Sequence, residues 1–288
     1  MTSANTARWT RFRHGKLACT VVSDGPLLLG AARECFPDVA PGEVDAILKR
    51  LGLPVDRVVL DQNILVVNTG GRLVLFDTGV GTMPELGRKV FGPQSGQMVC
   101  NLAAAGIDPA DIDVVALTHA HPDHAWGLLD ENGNIAFPNA EILIGNAECT
   151  GAAIDLSSYG DRAVRIGDGH RVADGITAIA TPGHSAGHLV YEIVSEGRGL
   201  VVWGDLCHHP ILLEEPHWNF VFDEDKTAAA AQRRRIFSRI VTNDQTVLSY
   251  HFPFPGLGGL RREGQRYVWD EIQPPAPLTA PSDVAASG

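Results

Sequence analysis

Basic side chains are in short supply in this chain: 23 lysines and arginines face 34 aspartates and glutamates over 288 residues, a formal charge of −11. DNA and RNA are held by lysine and arginine against phosphate, so this balance argues against a nucleic-acid partner. Cysteine is scarce as well. The five present, Cys19, Cys35, Cys100, Cys149 and Cys207, are an odd number with no C-x-x-C spacing, and read as free thiols in a reducing compartment. No run approaches the roughly 18–20 apolar residues that span a bilayer. Met1–Arg13 is polar with scattered arginines and lacks the apolar stretch and cleavage site of a secretion signal. A cytoplasmic protein with no membrane partner is expected. There is no Gly-rich nucleotide fingerprint and no internal repeat.

The chain does contain a normal core. Apolar residues are 44% and charged residues 20% of the sequence, as in ordinary globular enzymes. We expect one domain over residues 1–272, with residues 1–60 as its amino-terminal extension and a Pro/Ala-rich tail at 273–288. Leu17–Val22 reads as a strand. Glu43–Leu51 reads as a helix with Val44, Ile47, Leu48 and Leu51 on one face, closed by Gly52. Residues 62–68 and 72–76 alternate around Gly70-Gly71 as a hairpin. Gln97–Ala105 reads as a helix ended by Gly106. Lys226–Ile240 reads as another, with acidic Asp223–Asp225 before it and Arg233, Arg234, Arg235 and Arg239 later, an order that suits the helix dipole. The arginine triplet is expected on a solvated face.

Chemistry concentrates in Thr118-His119-Ala120-His121-Pro122-Asp123-His124. Three of the chain's 11 histidines and a carboxylate fall within His119–His124. Imidazole nitrogen and carboxylate oxygen are ligands for zinc, iron and manganese. On a helix His119 and His121 would point to nearly opposite sides, so this is not the i,i+4 pair of a helical zinc site. Pro122 keeps His121 out of the helical region, which predicts a tight loop after the strand Asp113–Leu117 and before a helix starting at Ala125.

Three more candidates follow apolar runs of strand length: His184 after Ile176–Ala180, Asp205 after Gly199–Trp203, and His251 after Thr246–Tyr250. Taken singly, each is an ordinary structural residue. Taken with the 118–124 loop, they describe strand ends converging on one edge of a sheet, where α/β proteins place their chemistry.

The series THAHPDH (118–124), TPGHS (181–185), GD (204–205) and the late His251 resembles the metallo-β-lactamase superfamily over most of the chain, and Phe76-Asp77-Thr78-Gly79 resembles its early strand-ending turn. The resemblance implies an α/β protein of αβ/βα sandwich form, two mixed sheets face to face with helices outside and two divalent metal ions at one edge. Carried over, His119, His121 and His184 hold one ion, Asp123, His124 and His251 the other, and Asp205 bridges them. No cysteine stands at a ligand position, unlike the branch of true β-lactamases with a thiolate ligand. The donors suit zinc first, with manganese, iron and cobalt permitted.

The run Phe252-Pro253-Phe254-Pro255-Gly256-Leu257-Gly258, with Ser23-Asp24-Gly25-Pro26, resembles the methyl parathion hydrolase-like branch, which includes phosphotriesterases and lactone and ester hydrolases. Related N-acyl-homoserine lactonases carry a tyrosine three residues after the bridging aspartate; His208 stands there instead. The expected activity is a dinuclear-metal hydrolase whose metal-bridging hydroxide cleaves an ester-type bond, with Asp123 and Asp205 as catalytic residues. A metal lowers the pKa of bound water from about 15.7 to about 7, on the order of 12 kcal/mol at ~1.36 kcal/mol per unit. A phosphotriester or aryl ester is the first substrate class and a lactone the alternative; a non-catalytic metal- or ligand-binding protein is the rival of another class. Trp126, His208, Phe252 and Phe254, with Trp218 near them, are candidates for an aromatic pocket around a small-molecule substrate. The 252–258 run reads equally as a rigid packed loop. His188 is expected to support the ligands, and Cys207 to be a buried small hydrophobe. The resemblance also implies a homodimer.

Overall fold

A computed structural model describes residues 8–81, 89–130, 132–148, 154 and 156–274. Cys149 and all but the first two residues of the expected 273–288 tail lie outside them. β1 (Trp9–His14) and β2 (Leu17–Ser23) come first, and β3 (Leu27–Leu29) and β4 (Val58–Leu60) pair as a small ribbon. β5 (Asn63–Asn68), β6 (Leu73–Phe76), β7 (Val114–Ala116), β8 (Glu141–Gly145) and β9 (Ala163–Ile166) complete a seven-stranded sheet in the order β1-β2-β5-β6-β7-β8-β9. β10 (Arg171–Ala173), β11 (Ile176–Ala180), β12 (Leu189–Ser195), β13 (Arg198–Val202), β14 (Thr246–Leu248), β15 (Leu257–Glu263) and β16 (Arg266–Glu271) form the second, in sequence order. Both sheets are mixed: β6, β7, β8 and β9 run parallel in one, β13 and β14 in the other.

Three apolar layers make this an αβ/βα sandwich. Val74, Phe76, Val114 and Ala116 of the first sheet meet Ala178, Tyr191, Val202 and Leu248 of the second. The opposite face of the first sheet, with Leu75, Val115 and Ile142, packs on Met98 and Leu102 of the helix Met98–Ala104. The opposite face of the second, with Val190, Val201 and Val247, packs on Ile236, Phe237 and Ile240 of the helix Lys226–Thr242. Central strands covered on both sides must be apolar at every position, which is why they read as continuous runs.

Local signals fix the element ends. Gly52 takes φ +70° after the helix Pro41–Leu51, and its N–H reaches the carbonyls of Leu48 and Lys49. Asp225 caps the helix Lys226–Thr242 by accepting from the Ala228 N–H. Two expectations fail. The helix after the histidine cluster starts at Pro122 rather than Ala125: a proline needs no N–H partner at a first helical position, and the turn Pro122–Ala125 is followed by a 3-10 turn at Trp126–Leu128. Arg233 does not sit on a solvated face; it is fully buried. Residues 8–23 of the expected amino-terminal extension are woven into the first sheet, β2 pairing along β5 from Ala18↔Asn68 to Ser23↔Asn63.

The topology gathers the candidate residues. β11 and β13 are each antiparallel to β12, and β13 is parallel to β14, so all three end on the same rim of the second sheet. The residues that follow them carry His184, Asp205 and His251. The Thr118 carbonyl accepts from the Leu189 N–H at 2.8 Å, which ties the segment leaving β7 to that rim.

Candidate metal centre

His121 is extended, at φ −68° and ψ 152°, as the residue before a proline must be. His119 and His121 therefore project from an extended segment, and Asp123 and His124 from the short turn that Pro122 starts. Asp205 occupies a kinked 3-10 turn, Gly204–Leu206, directly after β13.

Asp205 is the centre of the arrangement. Its Oδ1 lies 3.0 Å from Nε2 of His124 and 3.0 Å from Nε2 of His251. Its Oδ2 lies 3.1 Å from Nε2 of His184 and 3.5 Å from Nε2 of His119. One carboxylate thus faces two groups of donors with different oxygens. In the first group Nδ1 of His121 comes within 2.9 Å of Nε2 of His184. In the second, Oδ2 of Asp123 lies 3.5 Å from Nε2 of both His124 and His251. Within each group, His119, His121, His184, Asp205 and Asp123, His124, Asp205, His251, the ligand atoms lie within 4.8 Å of one another. The seven side chains expected as ligands are brought together.

Cations fit this cage on two grounds. Nε2 of His119, Nε2 of His124 and Oδ1 of Asp205 are buried with no hydrogen-bond partner, a costly state unless something else satisfies them. The charges point the same way. Burial pushes the imidazoles of His124 and His184 down, but Asp205 with Asp123 and Asp77 in one case, and Asp205 with Asp223 in the other, hold them up, His184 to about 9. The carboxylates draw positive charge into a buried place. Metal ions bound here would supply it in exchange for those protons, since ligand imidazoles must be neutral. Burial and neighbouring histidines keep His119 low and His121 at about 4.

The supporting groups come from far along the chain. Asp77 is buried at φ +62°. Its oxygens accept from the Thr118 N–H at 2.7 Å, from the Thr118 hydroxyl, and from Nδ1 of His124 at 2.9 Å. Glu148 accepts from the Ala120 N–H between His119 and His121, and from Ser185 Oγ and the Gly187 N–H beside His184. Asp223 accepts from Nδ1 of His184 at 3.1 Å. His188 uses both ring nitrogens: Nε2 accepts from the Asp205 N–H at 3.1 Å, and Nδ1 meets Thr181 Oγ1 at 2.8 Å. Glu148, Asp223 and Arg233 gave no ligand-like signal in the sequence, although Arg233 falls on the same helical stripe as Ala229, Ile236, Phe237 and Ile240, all buried.

The expected aromatic pocket is only partly found. His208 points into the cage, its Nε2 3.0 Å from Oδ2 of Asp205 and its ring stacked on Phe220 at 4.2 Å between centroids. Phe252 is a correction: it is 1% exposed and packs on Trp203 and Trp269, a core residue rather than a pocket wall. Phe254 lies half-buried under the Arg8 guanidinium, and its N–H donates to Asp61. Trp126 packs edge-on against Phe91, and Trp218 leans on Phe36. Cys207 is buried with its thiol toward the His209 carbonyl, and burial pushes it up to about 12.

The chain is similar to known proteins in sequence and fold. The model of the metallo-beta-lactamase superfamily matches residues 57–249. Metallo-beta-lactamase domain-containing protein 1 of Homo sapiens is 30% identical over 157 residues, 53% of this chain and 52% of that protein. An N-acyl homoserine lactonase of Bacillus cereus is 34% identical over 113 residues, 37% of this chain and 42% of the lactonase. The chain thus aligns with about half the length of these relatives, or less. Among solved structures, the hydrolase AbOPH of the beta lactamase superfamily is 27% identical with a TM-score of 0.83, over 93% of this chain and 99% of that one. AidC, a dizinc quorum-quenching lactonase, shares the fold at 24% identity and a TM-score of 0.83, over 93% and 98% of the two chains.

Proposed function

The chain belongs to the metallo-β-lactamase superfamily, and on that premise we propose that it is a dinuclear-metal hydrolase of ester-type bonds. The observation that carries the reading is the placement of Asp205, one oxygen toward His124 and His251 and the other toward His119 and His184. In this reading His119, His121 and His184 hold one ion, Asp123, His124 and His251 the second, and Asp205 is shared; zinc suits the donors. When bound, such a pair activates water and polarises the electrophilic oxygen.

The chain's own residues then do the rest. Asp123, whose side chain is 12% exposed against 4% for Asp205, stands on the open side, where it orients the attacking water and accepts its proton. His208 donates from Nε2 to Oδ2 of Asp205 and keeps that carboxylate from turning. His188 receives the Asp205 N–H and holds the backbone of the same residue. The reaction is balanced by water alone: a lactone yields a hydroxy acid, and an open ester an acid and an alcohol.

Lactones are the first substrate class, supported by the relatives and structural neighbours named as lactonases. Aryl esters and phosphotriesters are the second reading. It is favoured by the methyl parathion hydrolase-like run at 252–258 and by His208 at the place where related lactonases carry tyrosine. The test is metal analysis joined to a hydrolysis panel of N-acyl homoserine lactones, other lactones, aryl esters and paraoxon-type triesters. Two metals per chain, with hydrolysis lost on chelation and restored by zinc, manganese or cobalt, is the expected result. Stable metal without turnover on any of these esters would make the protein a binding protein. Activity confined to β-lactams or phosphodiesters would overturn the substrate class.

A further inference from the structure

The side of the cage formed by His184 and Asp205 rests on an ion pair that no solvent reaches. Arg233 and Asp223 both have side chains of 0% exposure, with Nη2 of Arg233 3.1 Å from Oδ2 of Asp223. Burying a guanidinium and a carboxylate is costly unless their donors and acceptors are used, and here they are used in a directed way. Oδ1 of Asp223 takes Nδ1 of His184, and Oδ2 also takes the Phe220 N–H at 2.9 Å. Arg233 donates from Nε to the carbonyl of Leu206 at 2.8 Å and from Nη1 to the carbonyl of Trp218 at 2.6 Å. Leu206 follows Asp205 directly. One guanidinium therefore reaches both the residue that orients His184 and the backbone beside the carboxylate at the centre of the cage.

The surrounding backbone makes the same connection. The Glu224 and Asp225 N–H groups donate to the carbonyls of His184 and Gly183 at 3.1 and 2.8 Å. Gly183 has φ +150°, and a Cβ there would lie 2.3 Å from the backbone nitrogen of Ala229, so the His184 turn is pressed onto the first turn of the helix Lys226–Thr242. His184, His208 and Asp223 are also close enough to hold a cation. Both Asp223 oxygens are already engaged by three donors, so its role is that of an acceptor.

We propose that Asp223 and Arg233 are positioning residues for one half of the centre: Asp223 fixes the tautomer and plane of His184, and Arg233 locks Asp223 and the Asp205 turn to the helix Lys226–Thr242. The proposal rests on the dinuclear reading above. An outer carboxylate on a ligand imidazole is worth about 10–100-fold in metal affinity.

The test measures Zn(II) affinity by chelator competition, and the rise in Tm on adding Zn(II), in two backgrounds of the full chain. In a His251→Ala background the remaining cation is the one held by His119, His121 and His184; there Asp223→Asn is expected to weaken Zn(II) about 10–100-fold and to shrink the Zn(II)-induced rise in Tm. In a His184→Ala background the same change is expected to leave the affinity for the remaining cation unaltered. Arg233→Lys, which keeps a charge beside Asp223, is expected to give the same pattern with a smaller loss, and Arg239→Ala on the same helix to give none. Equal losses in both backgrounds, or a lower Tm without metal at unchanged affinity, would overturn the positioning role and leave a structural ion pair. A wild-type chain that binds no Zn(II) would sink the dinuclear reading instead; two bound ions in wild type with unchanged affinity in every variant would sink this inference alone.

Discussion

The two sides of the cage are built by different means. On the first-sheet side four candidate ligands come from the six residues His119–His124, and one turn of chain places them. On the second-sheet side His184, Asp205 and His251 come from three strand ends and meet only because β11, β13 and β14 run the same way. Each side has a buried carboxylate that receives Nδ1 of one histidine, Asp77 for His124 and Asp223 for His184. Their surroundings differ. Asp77 faces neutral donors of Thr118 besides its histidine, and burial pushes its carboxyl up against them. Asp223 is pushed up by burial as well, but His184, His208 and Arg233 outweigh that and hold it well below the usual carboxylate range. The local arm is braced by a carboxylate with only neutral donors besides its histidine, whereas the arm assembled across the fold adds a buried guanidinium.

Removing the shared residue should erase the distinction. Asp205→Ala takes an oxygen from both ligand groups and should reduce hydrolysis by about 10³-fold or more, with metal content falling below two per chain. The measurements are kcat/KM on the responsive ester and metal per chain; full activity would show that Asp205 is not at the reacting centre. The next largest effect sharpens the contrast. Asp77→Asn keeps a residue type that tolerates φ +62°, but replaces one acceptor oxygen by a donor. It should weaken the ion held by Asp123, His124 and His251 about 10–100-fold, read as Zn(II) affinity in the His184→Ala background. Loss from the other ion would contradict the assignment of His124 to its ligand group.

The smallest effect concerns pH and a carboxylate outside both groups. Asp24 is buried and accepts from the N–H groups of Val80, Gly96 and Met98. Burial nevertheless outweighs these bonds and raises its pKa to about 7. A carboxyl whose folded pKa exceeds its unfolded value binds its proton more tightly when folded. Its contribution to stability is therefore complete below the ordinary carboxylate range and is lost as pH rises through about 7. Asp24→Asn cannot ionise, so the Tm of the variant relative to wild type should rise between pH 5 and pH 8. A constant difference would mean that the carboxyl is already ionised at pH 5.

How much could be read from the chain follows from the same contrast. The ligands are legible because four of them share a short motif and the other three each follow an apolar strand. The sandwich is legible because strands covered on both faces leave uninterrupted apolar runs. Among the braces Asp77 lies in a turn that resembles the family's and His188 follows His184 by four residues, but Glu148, Asp223 and Arg233 are not legible, because an acid or a base whose partners are met only in space resembles any other in sequence. Asp223 sits in an acidic triplet that reads as a helix start, and Arg233 in a basic triplet that reads as solvated. The stripe Ala229, Arg233, Ile236, Phe237, Ile240 held the clue, since a charge at helical spacing among apolar residues needs a buried partner. Phe252 fails in the opposite direction: nearness in sequence to His251 says nothing about which way a ring points, and this one points into the core.

The shared direction of β11, β13 and β14 also divides the labour between the two rims of the sandwich. Their starting ends carry the tight turns Asp174-Gly175 and Glu196-Gly197, with Gly175 and Gly197 at φ +77° and +74°. No candidate ligand hangs from that rim. The first of those turns is instead packed on neighbouring backbone, a Cβ at Gly175 falling 2.5 Å from the Val194 carbonyl oxygen, so that rim closes the sheet while the opposite rim carries the donors.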